Sequence, residues 1–153
     1  MTEILMRKVE IDDIQLLRYW RNSEHVRTRM VLQDYIGREE QRKWFESLCK
    51  KNFYYIYSLA SLDVGCVYCK NIDYEKKSFE SGIFCGNFDY LNHWINIFAC
   101  VRMYDFAFNQ LGLDRSYATI LLNNTAALRL NNHLGYLKIG EIESNVGRFI
   151  LEK

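Results

Sequence analysis

The stretch that decides the fold runs from Asn109 to Gly140 and reads NQLGLDRSYATILLNNTAALRLNNHLGYLKIG. Its opening residues have the composition of a helix end, and Tyr117 to Leu121 has the β-branched and aromatic residues of a strand. Asn124 is placed to cap a helix from Thr125 to Leu134, and Gly135 fits the left-handed position that ends a helix. The stretch therefore predicts a helix, a strand and a second helix in a mixed α/β fold.

The flanking sequence supplies the other elements of this fold. Ile4 to Val9 predicts a strand, and Asp12 and Asp13 follow as the N-cap and acidic first turn of a helix. Composition and periodicity predict the rest: a helix from Arg38 to Cys49, strands at Phe53–Leu59, Val64–Ile72 and Lys77–Cys85, a long helix from Ile95 to Leu111, and a hairpin of Tyr136–Ile142 and Gly147–Leu151. The order β-α-α-β-β-β-α-β-α-β-β predicts a mixed α/β (α+β) fold, with four helices around a central, twisted, mostly antiparallel sheet of about seven strands.

Composition limits the classes of protein that this chain can belong to. The chain has 153 residues, and 49% of them are hydrophobic. This suffices for a single domain, residues 1–153, with a well-filled core. Twenty basic and nineteen acidic side chains give a formal net charge of +1, which predicts no nucleic acid and no membrane as partner. No uncharged run approaches the roughly 20 residues of a membrane-spanning helix, and residues 1–8 do not resemble a signal peptide. We expect a cytoplasmic protein.

The five cysteines are an odd number, and their spacing predicts no disulfide framework. Cys66 and Cys69 form a C-x-x-C pair, which is the spacing of two zinc ligands or of a redox disulfide. The sequence contains no second pair of this kind, and on a strand the two thiols would point to opposite faces. We expect buried, reduced thiols and no metal.

Four segments, in this order and at these distances, resemble the GNAT N-acetyltransferases. They are LRYWRN at Leu17–Asn22, Q-x-x-W-F at Gln41–Phe45, YDFAFNQLGLDR at Tyr104–Arg115, and NTAALRL at Asn124–Leu130 followed by Leu134-Gly135-Tyr136. The first two are similar to segments of the ribosomal-protein N-terminal and amino-sugar-nucleotide acetyltransferase branches. The resemblance covers nearly the whole chain and implies a GNAT-like acyltransferase domain.

In that family acetyl-CoA binds where two central strands splay apart, and its pyrophosphate rests on the N-terminus of the next helix. The residues at which the resemblance implies cofactor contacts are Ile83, Phe84, Cys85, Asn92, His93, Trp94, Ile95, Asn96, Asn124 and Asn131. The family's Gln/Arg-x-x-Gly-x-Gly/Ala loop positions fall on Leu91, Trp94 and Asn96, so the glycines are replaced. Trp94 is therefore either an apolar plug in the cofactor cleft or part of a rearranged site.

The resemblance also implies catalytic residues. Glu80 stands where family members place a carboxylate that takes the proton of the amine, and it would alternatively be a solvated residue paired with Lys76 or Lys77. His93 is a second candidate base, because histidine ordinarily titrates near neutrality. Asn131 replaces a tyrosine that protonates the departing thiolate, and asparagine donates a hydrogen bond without transferring a proton.

Trp20, Arg21 and Asn22 are predicted to bind the acceptor, with the guanidinium of Arg21 holding a carboxylate or phosphate. Arg21 and Asn22 would equally suit a helix cap and a salt bridge. We expect an N-acetyltransferase that moves an acetyl group from acetyl-CoA to a primary amine, either on an amino sugar nucleotide or at a protein N-terminus. The alternative is a catalytically degenerate GNAT-fold binding or assembly protein, or one that uses a different acyl donor. A homodimer is compatible with each of these functions.

Overall fold

The computed structural model describes residues 3–153, which form seven strands, five α-helices and several short 3-10 and π turns. The strands are β1 Ile4–Lys8, β2 Phe53–Leu59, β3 Leu62–Asp73, β4 Ser78–Cys85, β5 Arg115–Leu121, β6 Leu137–Glu143 and β7 Val146–Glu152. The helices are α1 Ile14–Asn22, α2 Glu24–Arg27, α3 Arg38–Glu46, α4 Ile95–Asp105 and α5 Thr125–Leu134.

All seven strands join one sheet in the order β1-β2-β3-β4-β5-β7-β6. Neighbouring strands are antiparallel except β4 and β5, which are parallel because the segment containing α4 crosses from the end of one to the start of the other. The β4–β5 pairing runs only from Ser78 opposite Arg115 to Glu80 opposite Tyr117. Both strands continue beyond these residues without pairing to each other, so the sheet is open at its centre.

The predicted fold class and the mostly antiparallel seven-stranded sheet are confirmed. The prediction of four helices is wrong, because the chain forms the additional short helix α2 directly after Ser23. The predicted long helix changes at Asp105, after which Phe106–Gln110 forms a π turn. An apolar period of about 3.6 residues does not distinguish a single wider turn from a continuing α-helix.

Apolar side chains cover both faces of the sheet and form two separate clusters. One cluster contains Cys69 and packs against α4, and the other contains Cys66 and packs against α1 and α3. The prediction that the two thiols point to opposite faces of β3 is thus confirmed. Burial raises the pKa of the Cys69 thiol to about 12 and raises that of Cys66 as well, so both are protonated. Because the two thiols lie on opposite faces of the sheet, they can neither bind the same metal ion nor form a disulfide with each other.

The caps of α5 form as predicted. Asn124 Oδ1 accepts a hydrogen bond from the Ala127 N–H at 3.2 Å, and Gly135 takes a φ of 95°, which favours glycine. These caps set the first and last turns of α5, whose residues Ala127, Leu130 and Asn131 line the opening between β4 and β5. Among the helices of residues 3–153, none has the length and apolar character that crossing a membrane requires.

Candidate active site

The divergence of β4 and β5 opens a cavity of about 350 Å³, which we call the central cleft. Side chains from both faces of the sheet reach it, including Tyr68 from the α1 side and Tyr104 from the α4 side. Its volume lies in the range of about 300–1,000 Å³ that is typical of small-molecule sites. The central cleft therefore connects the two sides of the molecule through the sheet.

Glu80 is the only acidic residue among the described residues that line the central cleft. Its Oε1 lies 3.5 Å from Nη1 of Arg148, and its side chain is 31% exposed. Arg148 also donates a hydrogen bond to Thr119 Oγ1 at 3.0 Å, which fixes the guanidinium. The alternative pairing of Glu80 with Lys76 or Lys77 is wrong, because these lysines lie beside other carboxylates. Glu80 is therefore a positioned carboxylate that solvent and a ligand can reach.

Four hydroxyl groups of Ser81, Tyr104, Ser116 and Tyr136 meet and form what we call the hydroxyl cluster. The Tyr136 hydroxyl lies 2.6 Å from Ser81 Oγ, 2.7 Å from the Tyr104 hydroxyl and 2.5 Å from Ser116 Oγ. Burial raises the pKa of Tyr104 well above its ordinary value, so its hydroxyl keeps its proton at neutral pH. Ser81 and Tyr104 line the central cleft, so the cluster supplies it with protonated oxygen atoms.

Arg21 lies between the central cleft and a second cavity of about 380 Å³ under α1 and α3, which we call the inner pocket. Its guanidinium carbon lies 5.7 Å from the centroid of the Phe84 ring. Its Nε is buried and has no hydrogen-bond partner within residues 3–153. A buried donor without a partner is rare in proteins and indicates a place where a ligand or water completes the site.

Trp20 and Asn22, which were predicted to bind the acceptor together with Arg21, do not line these cavities. Trp20 is 5% exposed and packs against Phe84 edge to face. Asn22 binds the main chain of Ile36 twice, donating from Nδ2 at 2.9 Å and accepting at Oδ1 at 2.8 Å. Both residues hold the end of α1 in place, and of the three predicted residues only Arg21 lines a cavity.

A third cavity, of about 440 Å³, opens at the far end of β4 and is called the outer cleft here. Ile83 and Asn124 line both the outer and the central cleft, so the two clefts adjoin each other. The carbonyl oxygens of Cys85 and Gly86 lie 3.2 and 3.1 Å from His25 Nε2, which therefore carries the proton. Main-chain groups of alternate strand residues point to the same side, so those of Ile83 face the opening as well.

Asn96 organises the loop between β4 and α4. Its Nδ2 donates to the carbonyl oxygens of Tyr90 at 2.8 Å and Leu91 at 3.2 Å, while its Oδ1 accepts from the Tyr57 hydroxyl at 2.7 Å. Asn96 lines the outer cleft, but these bonds engage its polar atoms. Asn96 therefore shapes the loop, and its predicted contact with a cofactor stays a prediction.

Of the two alternatives for Trp94, an apolar plug or part of a rearranged site, the plug is wrong. Trp94 is 51% exposed at the N-cap of α4, where its ring lies 5.2 Å from His93 and 6.3 Å from Phe98, centroid to centroid. It lines neither cleft, and Ile95, which was also predicted to bind the cofactor, is fully buried in the core. The opening between the strands is therefore not filled by Trp94.

The other predicted residues lie around the two clefts. Phe84, Cys85, Asn92 and His93 line the outer cleft, so His93 and Glu80 lie in different cavities. Asn131 lines the central cleft and donates from Nδ2 to the Ala127 carbonyl oxygen at 2.8 Å, back along its own helix. Of the two predicted bases, only Glu80 lies in the central cleft.

Several lining residues carry no local signal in the sequence. The rings of Tyr54 and Tyr68 stack in the wall of the central cleft with centroids 4.8 Å apart, and Lys70 lies next to them. Arg29 and Arg129 reach the outer cleft from α2's end and from α5. Strand alternation assigns each tyrosine to a face, but the pairing of β2 with β3 brings the two rings together.

The splayed parallel strand pair, with a carboxylate in the cleft that passes through it, is the arrangement that the GNAT resemblance implied. Residues 3–137 match the model of the family described as "Acetyltransferase (GNAT) domain". The chain belongs to the GNAT acetyltransferase family. Its fold and its status as an acetyltransferase are thereby as predicted.

Solved structures share this fold at low sequence identity. A domain from Methanocaldococcus jannaschii is 22% identical over 100% of both chains, with a TM-score of 0.90. Spermidine N-acetyltransferase from Vibrio cholerae, in complex with CoA and spermine, is 17% identical with a TM-score of 0.89 and covers 97% of this chain and 95% of its own. N-acetyltransferase PseH from Campylobacter jejuni is 17% identical over 98% of both chains, with a TM-score of 0.73. In the comparison with curated proteins, nothing matches.

Proposed function

We propose that this protein transfers an acetyl group from acetyl-CoA to a primary amine, on an amino sugar nucleotide or at a protein N-terminus. The observation that carries the proposal is the pair of adjoining clefts at the strand splay, with Glu80 in the central cleft. Acetyl-CoA supplies the acetyl group as a thioester, a chemical bond that a neutral amine can attack. The chain's own residues then have to hold both molecules and remove a proton from the amine.

The outer cleft fits the cofactor. The main-chain groups of Ile83 face the opening because the neighbouring strand has departed, so they are free to pair with amide groups. Trp94 lies outside the passage and therefore does not fill it. Asn124 and Ile83 stand where the two clefts meet, which supports a reaction at the splay.

Glu80 is the proposed general base. Its carboxylate is reachable from the central cleft and is held by Arg148, so it can accept the proton of an ammonium group directly or through water. The hydroxyl groups of Ser81 and Tyr104 lie in the same cleft and remain protonated. They are the proposed hydrogen-bond donors on the reaction side, because Asn131 directs its Nδ2 to its own helix.

The charge of the central cleft favours an acceptor with an anionic group. Its lining contains the cations Arg21, Arg29 and Lys70 and the single acid Glu80, which is already paired with Arg148. The related spermidine enzyme was solved with spermine, a polycation, and such a molecule would meet like charge here. The unused Nε of Arg21 instead suits a carboxylate or a phosphate.

Acetylation assays with acetyl-CoA and three acceptors test this proposal: an amino sugar nucleotide, a peptide with a free N-terminus, and spermidine. We expect thiol release with one of the first two and a much lower kcat/KM for spermidine. Glu80→Gln should lower kcat by about 10²–10⁴-fold, the usual contribution of a general base. Arg21→Gln should raise KM for the anionic acceptor by about tenfold or more, because a charge-assisted hydrogen bond is lost.

Arg18→Gln is the matched control, since Arg18 lies one turn earlier on α1 and binds Gln15 and Tyr35 rather than a cleft. It should leave both constants, kcat and KM, unchanged.

The same assays need a thermal unfolding measurement with acetyl-CoA, because a ligand that binds the folded state raises the unfolding midpoint. No midpoint shift at millimolar acetyl-CoA would contradict the enzyme proposal. A preference for spermidine would contradict the acceptor class alone.

A further inference from the structure

The outer cleft is basic on three sides. All three histidines of the chain, His25, His93 and His133, line it together with Arg29 and Arg129. These residues come from α2 and its end, from the loop before α4, and from α5. No aspartate or glutamate is among the described residues of the lining, so the wall carries one sign of charge in a protein that is nearly neutral overall.

The loop before α4 has few main-chain donors left for an anion. The N–H of Leu91 donates to Phe88 O, that of His93 donates to Tyr90 O, and that of Asn96 donates to His93 O. The Ile95 N–H donates to His93 Nδ1 at 3.3 Å. An anion site at a helix N-terminus depends on unpaired N–H groups, and most of those in this loop are engaged within the loop itself.

Arg29 and Arg129 have the free N–H donors for an anion that the loop before α4 lacks. Arg129 is exposed on α5 and makes no side-chain hydrogen bond or ion pair to any of residues 3–153. Within residues 3–153, the side chain of Arg29 donates only to the carbonyl oxygen of His25, at 3.3 Å. A guanidinium group binds phosphate through two parallel hydrogen bonds, which is stronger and more directional than a contact with a point charge.

We propose that Arg29 and Arg129, assisted by the histidines of the outer cleft, hold the phosphate groups of acetyl-CoA in place of main-chain donors of the loop. The inference rests on the proposed use of acetyl-CoA and names the residues that make it possible. Side-chain cations replace glycine amides as the phosphate ligands. Cofactor affinity should therefore depend on two exposed side chains outside the loop, and it should fall with rising salt concentration.

Titration calorimetry with two acetyl donors tests this inference. One donor is acetyl-CoA, and the other is S-acetylpantetheine, which has the same thioester arm without phosphates. The proteins are the wild type, Arg29→Gln, Arg129→Gln and the double variant, with Arg102→Gln as control because Arg102 is exposed on α4 outside the three cavities. All of these are surface substitutions that should leave the thermal midpoint of the free protein nearly unchanged.

We expect each cleft substitution to weaken acetyl-CoA binding about tenfold and to leave S-acetylpantetheine binding unchanged. Arg102→Gln should change neither. If all the variants bind acetyl-CoA as tightly as the wild type does, this inference is overturned and the proposed function stands. Equal losses for both donors would also overturn it, since they indicate a distorted cleft. No binding of acetyl-CoA to the wild type would overturn the proposed function and this inference together.

Discussion

Replacing Asn96 by alanine should destabilise the protein strongly although it removes only one small side chain. The buried Tyr57 hydroxyl loses its acceptor at 2.7 Å, and the carbonyl oxygens of Tyr90 and Leu91 lose their donor. Leaving a buried polar group unpaired costs about 1–3 kcal/mol, and each lost hydrogen bond adds about 0.5–1.5 kcal/mol. The higher helix propensity of alanine offsets roughly 0.5 kcal/mol of this.

The expected loss is about 3 kcal/mol in the free energy of unfolding, or a decrease of about 6–12 °C in Tm for a chain of this size. Urea unfolding followed by circular dichroism measures the first quantity, and calorimetry measures the second. Asn109→Ala is the matched control, because the Asn109 amide makes one exposed bond to Asp105 at 2.8 Å. It should cost no more than about 0.5 kcal/mol.

A double-mutant cycle with Tyr57→Phe isolates the bond between the two side chains. We expect a coupling free energy of about 1–2 kcal/mol, since the residues are in direct contact. Equal stability of the Asn96→Ala and Asn109→Ala proteins would refute the reasoning. So would strict additivity in the cycle, because it would show that Asn96 acts independently of Tyr57.

Two further predictions concern stability. Gly86→Ala should cost about 1–3 kcal/mol, because a Cβ there would overlap the indole ring of Trp20; Gly140→Ala, which meets no atom within 4 Å, should be nearly neutral in the same urea experiment. The pKa of Asp13 is held below its ordinary value by its hydrogen bonds from the Arg7 guanidinium, so Asp13 contributes stability that is present above about pH 4 and lost as the pH falls toward the folded-state pKa. Asp13→Asn should therefore be less stable than the wild type at pH 7, with a difference that shrinks below pH 4; a difference independent of pH would contradict the assignment.

The strands could be predicted from sequence because each is a local run of β-branched and aromatic residues between polar turns. The caps of α5 could be predicted for the same reason, since Asn124 and Gly135 act within a few residues of their own positions. The π turn after Asp105 could not, because its side chains keep the apolar pattern of the helix before it.

The candidate site was predictable in part. Glu80 and Arg21 lie in the central cleft as the resemblance implied, whereas their neighbours depend on contacts between distant segments. Asn96 illustrates the difficulty: its loop bonds are local, but the Tyr57 hydroxyl that fixes its orientation is 39 residues away in sequence. Trp94 kept two alternatives in the sequence because a missing glycine identifies a changed loop without showing where the new side chain points.

The hydroxyl cluster has a consequence for how ligands enter. Tyr136 bridges Ser81 on β4 and Ser116 on β5, close to where main-chain pairing between these strands ends. It fixes the strand separation with side chains and holds the gap at a set width in the free protein. A ligand can then enter without breaking hydrogen bonds of the sheet. The conformational entropy of ordering the gap is therefore lost during folding rather than at each binding event. Association should accordingly follow simple one-step kinetics, and Tyr136→Phe should make it slower and more temperature-dependent by letting the gap fluctuate.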